Sequence, residues 1–329
     1  MIAFLLVGAF IALISFLLTG VTLRYLKQKA VLDYPNERSS HSTPIPRGGG
    51  LPVVAVVFIA WIYPIDVQLM AIAFSWTSVA LIIASCALLA AISWADDLKS
   101  LTPKLRLAIH ALAVAIGIAA LPHEASLFGN VMPTWLEKAS IFLGWLWFVN
   151  LFNFMDGIDG ISGVETLGIC GGLLLLSNLH ELPAAMPWHA LTVAAAILGF
   201  LWWNRPPARI FLGDAGSVPI GFILGWLLLE LALAGYWVSA LILPSYYVCD
   251  ATYTLLRRGM RGEKVWQAHR EHFYQRAVQA GRSHGAVSGS IGIANVALIA
   301  LSVSAISYPV VSLTAACVVV LVLIGWMRS

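Results

Sequence analysis

Charge is the scarcest property of this sequence: Asp, Glu, Lys and Arg supply 11% of its 329 residues, whereas hydrophobic residues supply 60%. Ordinary soluble domains carry about 25% charged residues, so the chain belongs in a lipid bilayer. Cysteine is nearly absent too. Cys86, Cys170, Cys249 and Cys317 lie far apart inside apolar runs, without the spacing of a metal site or redox pair, and are read as buried small hydrophobes. The first residues lack the basic stretch and small-residue cleavage site of a secretory signal, so residues 2–23 are expected to persist as a span. No low-complexity stretch and no repeat of the inverted-transporter kind is evident. Between the apolar runs there is no room for a separate soluble domain, so residues 1–329 are read as one membrane domain.

What is present is a succession of apolar runs near 2–23, 48–64, 68–94, 105–122, 139–154, 161–179, 188–203, 216–234, 236–255, 286–306 and 308–327. A spanning helix needs about 20 mostly apolar residues, so the expected fold is an all-α bundle of about eleven spans. The second run is short, but Tyr63-Pro64-Ile65-Asp66 separates it from the third. With eleven spans, every one of the 19 Lys and Arg residues except Lys138 falls on the odd loops or the C-terminus. Positively charged loops face the cytoplasm, which predicts an outside N-terminus and a cytoplasmic C-terminus. One miscounted span would scramble that split.

Polar residues also cluster on the odd loops: Asp33 to His41 continuing through Arg47-Gly48-Gly49-Gly50, Asp96-Asp97, Asn150 to Gly160, Phe211 to Ser217, and His269 to Arg276. Adjacent carboxylates at a helix C-terminus oppose the helix dipole, so Asp96 and Asp97 point to a cation or a metal. If the fifth span continues helically, Asn150, Asn153 and Asp156 or Asp159 share a stripe, a set of hard oxygen donors suited to Mg2+. Asp214 lies among small residues that leave space for a ligand, although Asp214 or Ser217 would also serve as a helix N-cap. Glycines 168, 171 and 172 read as close helix contacts.

The loop 257–285 is the one sizeable polar segment. Arg257, Arg258 and Arg261 fit anchors on anionic headgroups. His269, His272 and Arg276 would share a helical face at i, i+3 and i+7, offering donors to a diphosphate. Acidic metal-type ligands and basic phosphate-type donors at one membrane surface point to phosphoryl transfer, where catalysis is mostly positioning and charge neutralisation. A competing reading is a secondary transporter, with ionisable groups near the bilayer midplane; His110, Glu165, Glu230 and Asp250 would then carry it.

Between about 33 and 276 the motifs Asp96-Asp97, Asn150-x-x-Asn153-x-x-Asp156-Gly-x-Asp159-Gly, Phe211-x-Gly-Asp214-x-Gly and the histidine-bearing last loop resemble the polyprenyl-phosphate N-acetylhexosamine-1-phosphate transferases. The resemblance implies transfer of a sugar 1-phosphate from a UDP-N-acetylhexosamine to undecaprenyl phosphate at the cytoplasmic face of a bacterial inner membrane. It implies no nucleic-acid partner, membrane lipid as surroundings, and leaves a homodimer open. It further implies Mg2+, with Mn2+ as a substitute, on Asp214 and Asn153, and Asp96 and Asp97 as the catalytic pair. Asp156, Asp159 and Phe211 would hold the nucleotide, and His269, Arg270, His272 and Arg276 the diphosphate and sugar. Arg106 lies where the lipid phosphate would arrive. The last loop, His269-Arg-Glu-His272-Phe-Tyr-Gln-Arg276, departs from the histidine run of the muramoyl-pentapeptide branch and looks like enzymes that initiate O-antigen or capsule chains.

Overall fold

The computed structural model describes residues 2–35, 43–63, 75–122, 126–127, 129, 131–267 and 269–329. Away from water a chain must satisfy its own N–H and C=O groups, and a helix does so within each segment. The apolar runs accordingly become α1 (Ile2–Gln28), α2 (Gly50–Ile62), α3 (Trp76–Lys99), α4 (Pro103–Ile118), α5 (Thr134–Phe154), α6 (Ile161–Leu179), α7 (Met186–Asn204), α8 (Asp214–Leu231), α9 (Trp237–Ile242), α10 (Ser245–Met260), α12 (His284–Ser304) and α13 (Pro309–Arg328). A short α11 (Phe273–Gln279) lies in the last loop. Two-residue strands β1 (Leu32–Asp33) and β2 (Ile45–Pro46) pair antiparallel, with Leu32 opposite Pro46 and Asp33 opposite Ile45.

Local chemistry sets several ends. Ser75, Thr102 and Ser283 each accept a backbone N–H as N-caps of α3, α4 and α12, and α4 has Pro103 in its first turn, where no N–H is needed. Among the described residues seven helical stretches are long and apolar enough to cross a membrane: α1, α3, α6, α7, the continuous Asp214–Ile242 unit, α12 and α13. The helices α2, α4 and α10 are shorter. The expected break at Pro64–Asp66 and the start of the third run lie outside the described residues. Between the eighth and ninth runs the turn Ala232–Tyr236 carries Gly235 at φ 97°, a conformation open to glycine.

The middle of the bundle is α8, packed against α2, α3 and α5 and also touching α6, α7 and α9. Every residue from Ala215 to Leu228 is buried, as expected of a helix that is apolar all round. Its first turn meets α2 glycine to glycine: a Cβ on Gly50 or on Gly216 would strike the other's Cα. Bonds between helices add to the packing, among them Trp145 Nε1 to Phe222 O at 3.0 Å, Ser15 Oγ to Ala196 O at 2.5 Å and Asn295 Nδ2 to Glu165 Oε2 at 3.1 Å. On the outside Leu5, Phe10, Leu17 and Val21 of α1 and Val310 and Leu321 of α13 stand exposed, a surface that suits acyl chains rather than water.

The glycine contacts appear as expected at two positions, where Gly168 lies against Asn295 and Gly172 against Leu243. The cysteines divide: Cys86 and Cys170 are buried, whereas Cys249 and Cys317 are exposed. Hydropathy alone does not distinguish a core-facing from a lipid-facing thiol.

Candidate active site

Two glycine-rich segments, far apart in sequence, zip together at one end of the bundle. Phe211 N donates to Pro46 O at 2.8 Å, Gly49 N donates to Phe211 O at 2.9 Å, and Gly50 N donates to Leu212 O at 2.8 Å, with Arg47 bridged in parallel to Phe211. Gly213 then turns with φ 73°, where L side chains are strained, and takes the N-cap position of α8. Sequence alone offered Asp214 or Ser217 for that cap. Because a glycine fills it without a side-chain bond, the Asp214 carboxylate is left for other partners.

Those partners are cations. Arg47 Nη2 donates to Asp214 Oδ1 at 2.6 Å and lies 3.0 Å from Asp97 Oδ1. Burial opposes the charge of Arg47, but Asp214, Asp97 and Asp33 outweigh it and raise its pKa. Arg106 Nη1 pairs with Asp96 Oδ2 at 2.7 Å and lies 3.6 Å from Asp214 Oδ2. Adjacent residues on a helix point about 100° apart, and the aspartate pair divides accordingly. Asp96 also accepts Leu101 N at 2.6 Å and so ties α3 to α4. Asp97, its side chain 2% exposed, faces Arg47 and lies against the Ala215 backbone N–H at the start of α8.

The oxygen-rich stripe ends sooner than a continuous helix would allow. The helix α5 stops at Phe154, and Gly157 lies against the Tyr274 hydroxyl. Asn150 and Asn153 remain on the helix. Asn150 Oδ1 meets His110 Nδ1 at 3.1 Å, and Asn153 Oδ1 accepts Ser217 Oγ at 2.5 Å. Asp156 lies beyond the helix, in contact with Ser162. Asp159 accepts Ala208 N at 3.0 Å and pairs with His284 at 3.2 Å, which fastens the 205–210 segment. Of the first cluster, Asp33 to Pro35 and Arg47 to Gly50 are described, whereas residues 36–42 lie outside the described residues.

In the last loop α11 begins only at Phe273, with His272 as its N-cap in a capping box with Gln275. His269, His272 and Arg276 therefore share no helical face. His272 is buried, its Nδ1 3.1 Å from Asp250 Oδ1, and only Arg276 is exposed. Asp250 is itself wholly buried; besides His272 it receives Tyr246 Oη, Thr254 Oγ1, Phe273 N and Tyr274 N within 3.0–3.4 Å. Tyr274 Oη donates to Phe154 O at 3.0 Å, joining this loop to the end of α5. His269 is pushed down to about 4 by burial, with His272 and Arg258 adding to it. At neutral pH it brings a hydrogen bond and no charge. Arg258 is not a headgroup anchor: it is buried, paired with Glu263 at 2.8 Å and bonded to the Gln267 carbonyl at 3.2 Å. Arg261 pairs with Glu271 at 2.6 Å.

A cavity of about 370 Å³ opens beside the carboxylates, lined by Arg106, His110, Asn150, Asn153 and Asp214 at its polar end. Its other walls are apolar, including Leu143, Leu146, Trp147, Leu255, Val265 and Trp266. His269, Arg270, His272 and Arg276 do not line it. Among the described residues no three His, Cys, Asp or Glu side chains converge as a metal cage. The donors at hand are the carboxylates of Asp97 and Asp214, both now paired with Arg47, and the second lone pair of Asn153 Oδ1. That set fits an ion such as Mg2+, which takes one or two protein carboxylates and completes its shell with phosphates and water.

From the sequence, Arg47 falls among the cytoplasmic charges and in the first polar cluster, and Asp250 among the transporter residues, neither with a role in the site. A single basic residue directly before three glycines, and a lone carboxylate inside an apolar run, were the available signals.

Residues 78–232 match a family model described as glycosyl transferase family 4. The chain is 28% identical to a probable undecaprenyl-phosphate N-acetylglucosaminyl 1-phosphate transferase of Bacillus subtilis (strain 168), over 82% of this chain and 75% of that one. It is 29% identical to a decaprenyl-phosphate N-acetylglucosaminephosphotransferase of Mycobacterium tuberculosis, over 85% and 76% of the two chains. A shorter match, 41% identical over 78 residues, is to a phospho-N-acetylmuramoyl-pentapeptide-transferase of Chlamydia muridarum, covering 23% of each chain.

Proposed function

Since the chain belongs to glycosyl transferase family 4, we propose that it transfers an N-acetylhexosamine 1-phosphate from a UDP-sugar to undecaprenyl phosphate, starting an O-antigen or capsule-type polysaccharide. The observation that carries this reading is the meeting of Asp214, Asn153 and Arg106 in the lining of a largely apolar cavity, with Asp97 joined to Asp214 behind it through Arg47. A lipid phosphate has that shape, a long apolar body ending in an anion. The eleven apolar runs would each span the bilayer, with the N-terminus outside and the site on the cytoplasmic face of a bacterial inner membrane. The one-sided distribution of Lys and Arg supports this.

In the reaction an oxygen of the lipid phosphate attacks the phosphorus that bears the sugar. The bond from that phosphorus to the bridging oxygen breaks, and UMP leaves with the electron pair. The acceptor is already an anion near neutral pH, so the chief obstacle is bringing two anions together. Mg2+ held by Asp214, Asn153 and Asp97 would supply charge neutralisation at the diphosphate. Arg106, held by Asp96, would meet the incoming lipid phosphate, and Asp97 would orient it. Arg270 and Arg276 would bring the positive charge of the last loop, and His269 a neutral donor.

The purified protein with Mg2+, undecaprenyl phosphate and a panel of UDP-N-acetylhexosamines is expected to yield a lipid diphosphate sugar and UMP. No product with any sugar tried would sink the reading. Within that assay Asp97→Asn should lower kcat by about 10²–10³, the loss expected for a group acting on the reacting phosphates. Asp96→Asn keeps an acceptor for Leu101 N and should act mainly on KM for the lipid. Exchange of labelled UMP into the UDP-sugar without lipid would instead favour attack by an aspartate and a covalent intermediate.

A further inference from the structure

Arg47 and Arg258 are both partly enclosed guanidiniums, yet they are held in different ways. Arg258 is 5% exposed and is bonded to backbone carbonyls as well as to Glu263, the pattern of a permanent clamp. Arg47 is 33% exposed, and its ion pairs run to Asp97 and Asp214, the carboxylates best placed to hold a divalent cation. The backbone around Arg47 is fixed by its bonds to Phe211 and Leu212, so any displacement is confined to the side chain. Arg106 has a separate hold on Asp96 at 2.7 Å and keeps it whatever happens at Asp214.

We propose that Arg47 is a displaceable counter-ion: its guanidinium occupies Asp97 and Asp214 while no divalent cation is bound, and leaves them for substrate phosphate when one binds. The inference rests on the proposed metal site and adds to it a competition. Asp214 already holds Arg47 on Oδ1 at 2.6 Å and Arg106 near Oδ2 at 3.6 Å, so a divalent cation added to both would place a third positive centre on one carboxylate against strong repulsion. A cation arriving at Asp214 and Asp97 therefore has to evict the guanidinium. One guanidinium would thus keep the acidic cluster neutralised before substrate arrives and supply a phosphate donor afterwards. Apparent metal affinity is reduced by the fraction of time the carboxylates are free of Arg47.

The test is Mn2+ alone, titrated into the detergent-purified full chain with free Mn2+ read by electron paramagnetic resonance. If Arg47 holds the carboxylates about nine-tenths of the time, Arg47→Gln should bind Mn2+ about tenfold more tightly than the wild type. Arg47→Lys, which keeps the charge but loses the forked geometry, should fall between. Turnover should move the other way, falling in Arg47→Gln while metal binding tightens. Unchanged or weaker Mn2+ binding in both variants, with thermal melts like the wild type, would mean that Arg47 organises the carboxylates and would overturn the proposal alone. Absence of Mn2+ binding in every protein would overturn it together with the metal site beneath it. Should Arg47→Gln lose its fold, the comparison of Arg47→Lys with the wild type decides.

Discussion

Asp156 and His269 are shifted in opposite directions by the same cause. Burial pushes the Asp156 carboxyl up to about 7, against a hydrogen bond from Ser162, with Asp214 raising it further and Arg47 lowering it. In the unfolded chain the group ionises near 4. Between about 4 and 7 the native state therefore holds a proton that the unfolded state has lost, and stability falls as pH rises through that window. The prediction is that the wild-type melting midpoint in detergent declines from pH 5 to 8, while that of Asp156→Asn stays flatter; parallel profiles would refute it. The acidity of this segment is plain in the sequence. Its burial is not, because a helix-period reading carried the stripe past Phe154, where the chain turns away at Gly157.

At the scale of elements, the pairing of α10 with α11 decides how the last loop is shaped. Asp250, in mid-helix, gathers the backbone of Phe273 and Tyr274 with His272, Tyr246 and Thr254. Removing the acceptor leaves buried donors unsatisfied, each costing about 1–3 kcal/mol. Asp250→Ala is expected to loosen the loop, so that trypsin cuts at Arg261, Lys264 or Arg270 under conditions where the wild type is resistant. KM for the UDP-sugar should rise with it. Asp250→Asn, which keeps one acceptor oxygen, should recover part of both. Equal protease resistance in all three proteins would show that the loop does not depend on this carboxylate. In the sequence α10 falls largely inside the apolar run 236–255, with Asp250 standing out as a lone carboxylate. That this carboxylate serves another element was not legible there, since α11 comes 23 residues later and contributes backbone rather than side-chain donors.

At the scale of the molecule, α8 is a buried axle whose first residue is Asp214, and the surrounding helices bring their polar ends to it. Placing α8 at the centre puts the site at the end of the bundle where the odd loops gather, which gives the orientation a direct check. In a background with Cys249 and Cys317 replaced, a membrane-impermeant maleimide is expected to label Arg209→Cys in inverted vesicles and Lys138→Cys in intact cells. Both positions are exposed. The opposite pattern would reverse the topology and place the site outside.

The sequence by itself determined the solvent and most of the chemistry. A chain with 11% charge and repeated apolar runs calls for an apolar solvent, and its Asp-Asp, Asn-x-x-Asn and Gly-Asp-x-Gly motifs supply the candidate site groups. Hydropathy and spacing are local quantities, so they reach as far as one helix or one loop. Only the tertiary structure decided that Asp97 and not Asp96 faces Arg47 and that Arg47 meets Asp214 across 167 residues of chain. It also turned His272 inward to Asp250. Each of these is an ion pair or hydrogen bond whose strength depends on a distance of about 3 Å, and that distance exists only once α2, α3 and α8, or α10 and α11, have packed.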